Sequence, residues 1–170
     1  MIGIRHVFRV LILAGIAGLA AVLTTPPALA APLPLGTFRL ATSSPNPDFL
    51  GTCASSNNTR GVPYILDFCR AFDDSEQWVY GTQGFSQSLV NARTGNCATA
   101  TSQQEGALVV DMPCSSANVA NQSWVTNPLG VIALAGPPQT AAFCWVPVNY
   151  KIQLVYCTGN VNQVWAAVPA

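Results

Sequence analysis

Apolar residues in this chain come in short bursts rather than at helical spacing. Thr37-Phe38-Arg39-Leu40, Ser88-Leu89-Val90, Ala107-Leu108-Val109-Val110, Gly130-Val131-Ile132-Ala133-Leu134 and Ile152-Gln153-Leu154-Val155-Tyr156 are separated by clusters of Gly, Pro, Asn and Ser. That is the pattern of strands and turns. Pro45, Pro47, Pro113, Pro128, Pro137 and Pro138 recur too often for a long helix, because proline lacks the backbone donor and clashes with the preceding turn. The pattern predicts an all-β domain over residues 37–170.

The long apolar run from Val10 to Leu23 has a different character. Arg5, His6 and Arg9 make a basic start, Thr24, Thr25, Pro26 and Pro27 end the run, and Ala28-Leu29-Ala30 follows with small residues. This order is that of a secretory signal peptide over residues 1–30, cleaved after Ala30, with a Pro-rich linker at 31–36. A spanning helix needs roughly 20 apolar residues and the run is shorter, so no stable membrane insertion is expected. The Ala-rich, Pro-ended leader points to a bacterial source and an extracellular destination.

Loss of the leader changes the charge and the available chemistry. The mature chain keeps Arg39, Arg60, Arg70, Arg93 and Lys151 against Asp48, Asp67, Asp73, Asp74, Glu76, Glu105 and Asp111, a net charge of −2. There is no basic patch for nucleic acid. His6 leaves with the leader, so imidazole-dependent triads and metal sites are excluded. Glu105 and Asp111 are the only later acids and form no paired general acid and base. A non-enzymatic protein without cofactor or metal is expected, and the cluster Asp73, Asp74 and Glu76 reads as a solvated turn because it lacks calcium-loop spacing.

The chain also repeats itself. Cys53, Cys97 and Cys144 are spaced by 44 and 47 residues, Cys69, Cys114 and Cys157 by 45 and 43, and Trp78, Trp124 and Trp165 by 46 and 41. One supersecondary unit is therefore used three times, over residues of about 37–80, 81–126 and 127–170. Secretion places the cysteines in an oxidising compartment, and repeat symmetry selects one set of disulfides: Cys53 with Cys69, Cys97 with Cys114, Cys144 with Cys157. Each loop is worth about 3 kcal/mol through the unfolded state. Propellers need four or more blades, so three units closing around one axis are the economical architecture.

Gly36-Thr37-Phe38-Arg39-Leu40, Arg93-Thr94-Gly95-Asn96-Cys97, Asn121-Gln122-Ser123-Trp124 and Asn162-Gln163-Val164-Trp165 together resemble the ricin-type, or ricin B-like, β-trefoil lectins, whose signature is Gln-x-Trp. The first repeat departs from that signature with Ser75-Glu76-Gln77-Trp78. The resemblance implies an all-β trefoil of three pseudo-symmetric repeats, each with one internal disulfide. In an extended segment residues two apart share a face, so each Gln points with its Trp. Trp78, Trp124 and Trp165 are expected in the core, and a buried Gln beside them needs its amide bonded. Asn121 and Asn162 face the other way, toward a turn or a ligand.

The resemblance further implies a sugar pocket in each repeat: an Asp two residues after the first cysteine, an aromatic platform two before the second, a Gln four before it, and the Asn-Gln of the signature. In the first repeat these positions hold Ser55, Asp67, Ile65 and Ser75-Glu76, and the pocket looks lost. The second has Thr99, Met112 and Val110, with a matching Asn121-Gln122; Asp111 is turned to the opposite strand face. The third has Val146 and Val155, but Gln153, Asn162 and Gln163 match. Candidate carbohydrate-binding residues are therefore Gln153, Asn162 and Gln163, then Asn121 and Gln122, with Trp145, Tyr150 and Tyr156 as a possible substitute platform. The expected partner is a glycan or glycoconjugate. The alternatives are a protein partner, met through exposed loops such as Pro137-Pro138-Gln139, as in trefoil toxin subunits or trefoil inhibitors, and a structural domain that binds no sugar.

Overall fold

The computed structural model describes residues 36–81, 87–135 and 143–170; the leader, the linker to residue 35 and Pro137-Pro138-Gln139 lie outside them. Every repeat supplies four short strands. They are β1 Phe38–Thr42, β2 Thr52–Ser55, β3 Ile65–Phe68, β4 Gln77–Tyr80, then β5 Leu89–Asn91, β6 Cys97–Ala100, β7 Val109–Met112, β8 Trp124–Thr126, and β9 Ile132–Leu134, β10 Phe143–Val148, β11 Lys151–Tyr156, β12 Trp165–Pro169. Among the described residues no helix is long and apolar enough to cross a membrane.

The strands divide into a barrel and a cap. β1 pairs antiparallel with both β12 and β4, β4 with β5, and β8 with β9. The ring is completed where the Trp124 amide donates to the Gln87 carbonyl at 2.7 Å and the Trp165 amide to Gly130 at 2.9 Å. The remaining strands form the hairpins β2–β3, β6–β7 and β10–β11. Neighbouring hairpins are stitched in rotation by the bridges Pro63 to Val110, Leu108 to Gln153 and Lys151 to Ile65. Three hairpins over a six-stranded ring are the β-trefoil arrangement.

Tryptophan placement explains why the repeats converge. Trp78, Trp124 and Trp165 are buried, and their indole N–H groups donate to the carbonyls of Ala54, Ala98 and Trp145 at 3.1, 2.9 and 3.2 Å. Each acceptor is the residue after the first cysteine of its repeat, so one bond ties each barrel strand to its own hairpin. Those positions hold two alanines and one tryptophan, and Trp145 fills the axis. Its ring meets Trp78, Trp124 and Trp165 at centroid distances of 6.0, 5.2 and 5.9 Å. Three tryptophans there would overfill the centre and three alanines would leave a void. The expectation of Trp145 in an exposed platform is thereby corrected.

The disulfides pair Cys53 with Cys69, Cys97 with Cys114 and Cys144 with Cys157, with Cα separations of 5.0, 4.9 and 5.1 Å. Each joins the first strand of a hairpin to the end or exit of the second. Gly130 stands where the chain passes closest to its neighbour: its φ is +83°, and a Cβ there would run into the Trp165 carbonyl oxygen.

Candidate functional site

The signature glutamines are buried and fully engaged. Gln122 accepts from the Ser115 amide at 2.9 Å and donates to the Pro113 carbonyl at 2.9 Å and to Thr99 Oγ1 at 2.8 Å. Gln163 accepts from the amides of Thr158 and Gly159 at 2.8 and 3.0 Å and donates to the Tyr156 carbonyl at 2.7 Å. Each amide thus clasps the backbone on both sides of the second cysteine. These glutamines do not share a strand with their tryptophans, contrary to the extended reading. Gln122 closes the short helix α1, Val119–Gln122, and Gln163 ends a single 3-10 turn, Val161–Gln163.

Glu76 makes half of the same clasp in the first repeat. One carboxylate oxygen accepts from the Arg70 amide at 2.8 Å, while Oε1 is buried with no partner. The carbonyl that corresponds to those of Pro113 and Tyr156 belongs to Phe68, and an ionised carboxylate has no proton to give it. Burial pushes the Glu76 carboxyl above its ordinary value, against the lowering by the Arg70 amide, and Asp73 and Asp67 add to the rise. Glu76 therefore does not belong to a solvated turn. Asp73 does cap that turn, accepting from the Ser75 amide at 3.0 Å and hydroxyl at 2.6 Å, which holds its carboxyl below the usual range.

Two of the three places where the resemblance implies an acidic acceptor are closed. In the first repeat Ser55 and Ser75 are buried with their hydroxyls 3.0 Å apart. In the second, Thr99 is buried, donates to the Cys97 carbonyl at 3.0 Å and receives the Gln122 amide. Asp111 is buried on the opposite face, as the strand period required, and accepts from Ser56 Oγ at 2.7 Å and Thr94 Oγ1 at 3.3 Å. Tyr64 lies close to it; burial first, then the Asp111 carboxylate, pushes that phenol well above its ordinary value. Asn121 is half-buried and spends its amide on Asn118 Oδ1 and Gln103 Nε2, both at 3.1 Å.

The third repeat is open. A cleft of about 330 Å³ is lined by Val146, Val155, Tyr156, Thr158, Asn160, Asn162, Gln163 and, from the second repeat, Glu105. Val146 and Val155 lie on the outer face of the β10–β11 hairpin, because their paired neighbours Trp145 and Leu154 face the core. Asn160 caps the turn that presents Asn162, and Asn162 Oδ1 accepts a long bond of 3.4 Å from Ser44 Oγ. Gln153 pairs with Val146 and shares this face, but it stands outside the lining.

The three-ring substitute platform is not assembled, although Tyr156 itself lines the cleft. Trp145 is at the molecular axis, Tyr150 meets Phe49 edge-on at 5.6 Å, and Tyr156 packs against Phe143 at 5.0 Å. The floor of the cleft is two valines. Among the described residues no group of three or more His, Cys, Asp or Glu is arranged to hold a metal ion.

No protein-family model matches the chain. Agglutinin-1 of Abrus precatorius is 34% identical over 104 residues, which are 61% of this chain and 18% of that protein. The chain thus spans less than a fifth of its relative's length. The solved agglutinin from Abrus precatorius superposes with a TM-score of 0.61 at 26% identity, covering 79% of this chain and 47% of that one. The chain folds as a β-trefoil and is similar to these agglutinins. ThreeFoil, a designed three-fold symmetric protein, shares the fold at a TM-score of 0.59 and 20% identity, covering 79% of this chain and 99% of that one. The relative is a plant protein, so the similarity gives no support to the bacterial source expected from the leader.

Set beside the ricin-type signature, the second and third repeats keep the glutamine and tryptophan and lack the acidic and aromatic positions. Sequence reasoning overlooked Glu105 as a cleft residue. Its signal is faint, because the loop that carries it belongs to a different repeat.

Proposed function

We propose that this protein is a secreted, non-enzymatic glycan-binding module whose site is the third-repeat cleft. The observation that supports this reading is the contrast among repeats. The equivalent hydroxyls of the first two are buried in internal hydrogen bonds, whereas Val146, Val155, Asn160 and Asn162 line an open concavity. An apolar floor with a few convergent amides suits a pyranose, which offers a C–H face and a rim of hydroxyls. Asn162 is the proposed ligand contact, Gln153 a contact at its margin, and Gln163 the residue that holds the wall. Asn121 and Gln122 are proposed to maintain the second repeat without a ligand. Three disulfides accord with an oxidising, extracellular destination.

A glycan array probed with the oxidised protein, beside Asn162→Ala combined with Gln153→Ala, tests the reading. Signal in the parent and loss in the double variant are expected. Equal signals from both would move the site elsewhere.

A protein partner is the second reading, favoured by an exposed apolar group near the first disulfide. Phe68, Phe72 and Leu50 are 69%, 89% and 60% exposed, and Phe72 is held at φ +69°. Silence on the array together with pull-down of a partner by the parent but not by Phe68→Ala, Phe72→Ala would replace the glycan reading with this one.

A further inference from the structure

Resting on the glycan reading, we infer that Glu105 is the principal hydroxyl acceptor of the third-repeat cleft, and that the ligand is a neutral glycan presenting two adjacent hydroxyls. The position where the resemblance implies an acid is Val146, which can accept nothing. A ligand rich in hydroxyls needs an acceptor, and a carboxylate accepts from two of them at once. Among the lining residues only Glu105 carries one.

Its placement is built into the cap. The Gly106 amide donates to the Leu154 carbonyl at 2.7 Å, and the Leu154 amide donates back to Ala107 at 2.8 Å. The two residues after Glu105 are therefore fastened to β11, the strand that supplies Val155 to the cleft floor. Gly106 makes the turn possible with a φ of +82°. The Glu105 side chain is exposed and has no hydrogen bond or ion pair among the described residues, so its oxygens are available.

The same charge selects the ligand. Among the described residues no Lys or Arg lines the cleft, so a sialic or uronic acid carboxylate would meet Glu105 without a compensating cation. Neutral glycans carry no such penalty. The carboxylate comes from the loop of the second repeat and not from the hairpin of the third, which makes the site a product of the closed trefoil and not of one repeat.

Glu105→Gln keeps the shape and removes the charge at a position where folding does not depend on it. The experiment is an array of neutral glycans with sialylated and uronic counterparts, probed with the parent, Glu105→Gln and Asn162→Ala, with melting temperature followed in parallel. Expected is neutral-glycan binding by the parent that falls about ten-fold or more in Glu105→Gln at unchanged melting temperature, the loss of one charge-assisted contact. Undiminished binding by Glu105→Gln, with loss in Asn162→Ala, would overturn Glu105 and leave the glycan reading standing. Preference for the acidic glycans would overturn the neutral ligand alone. Silence of the parent, or undiminished binding by both variants, would overturn the inference and the cleft together.

Discussion

Trp124 and Trp145 meet edge to face with centroids 5.2 Å apart and ring planes 76° to each other, although they belong to different repeats. The contact exists because Trp145 reaches the axis from the site that Ala54 and Ala98 occupy in the other two hairpins. Symmetry in the fold is thus completed by asymmetry in the sequence. Its indole N–H is buried without a partner, a cost that the ring contacts must outweigh. Trp145→Ala should destabilise the domain by about 3–5 kcal/mol, as for truncation of a core aromatic. Tyr156→Ala, at a ring 48% exposed, should cost far less. Chemical denaturation compares the two, and similar costs would contradict the central role of Trp145.

Glu76 should make stability depend on pH. Its carboxyl is raised in the folded chain, chiefly by burial, so the folded state holds a proton that the unfolded state releases earlier. The associated stability is present below the ordinary glutamate value, about 4 to 5, and is lost as pH rises through the folded value. Glu76→Gln restores the clasp made by Gln122 and Gln163 without needing a proton. It should stabilise at pH 8 by about 1–3 kcal/mol, the worth of a buried unsatisfied group, with the gain shrinking below pH 4. A gain equal at both pH values would show that ionisation is not the cause.

Gln122, Gln163 and Asn162 should separate stability from binding. Removing either buried glutamine strands backbone groups beside a disulfide, so Gln122→Ala and Gln163→Ala should each cost about 1–3 kcal/mol. Asn162 is half-buried and makes one long side-chain bond to Ser44. Asn162→Ala should change stability by less than about 0.5 kcal/mol while removing glycan binding. Thermal melts with array binding on the same preparations decide it; a large melting shift in Asn162→Ala would mark it as structural.

Gly130 and Gly51 offer a matched pair. Both sit at positive φ, +83° and +70°, but a Cβ on Gly51 meets open space whereas one on Gly130 meets the Trp165 carbonyl. Gly51→Ala should cost about 1–2 kcal/mol for the conformation alone. Gly130→Ala should cost clearly more, because the hydrogen bond that the Trp165 amide donates to the Gly130 carbonyl, which closes the barrel, must also shift. Equal losses would mean that the barrel yields easily at this seam.

Much of the architecture was legible along the chain. Cysteine and tryptophan spacing carried the repeat number and the disulfide pairing, since both are set by one unit copied in order. The short apolar runs located strands β1, β5, β7, β9 and β11, because alternation and turn residues are local properties. The step of Ala54, Ala98 and Trp145 after the first cysteines was also visible, but its meaning was not, as nothing local says that the three sites converge.

The amino-acid sequence by itself determined that this chain would build a three-repeat, disulfide-braced β domain with its signature tryptophans inside. Tertiary structure alone decided that Trp145 is the axial plug, that the signature glutamines serve the backbone, that Glu76 is buried with one oxygen unpaired, and that Glu105 shares a cleft with Asn162. Periodicity and spacing are written within a repeat. Contacts between repeats depend on how three similar units close on one another, and that geometry appears only when the ring is complete.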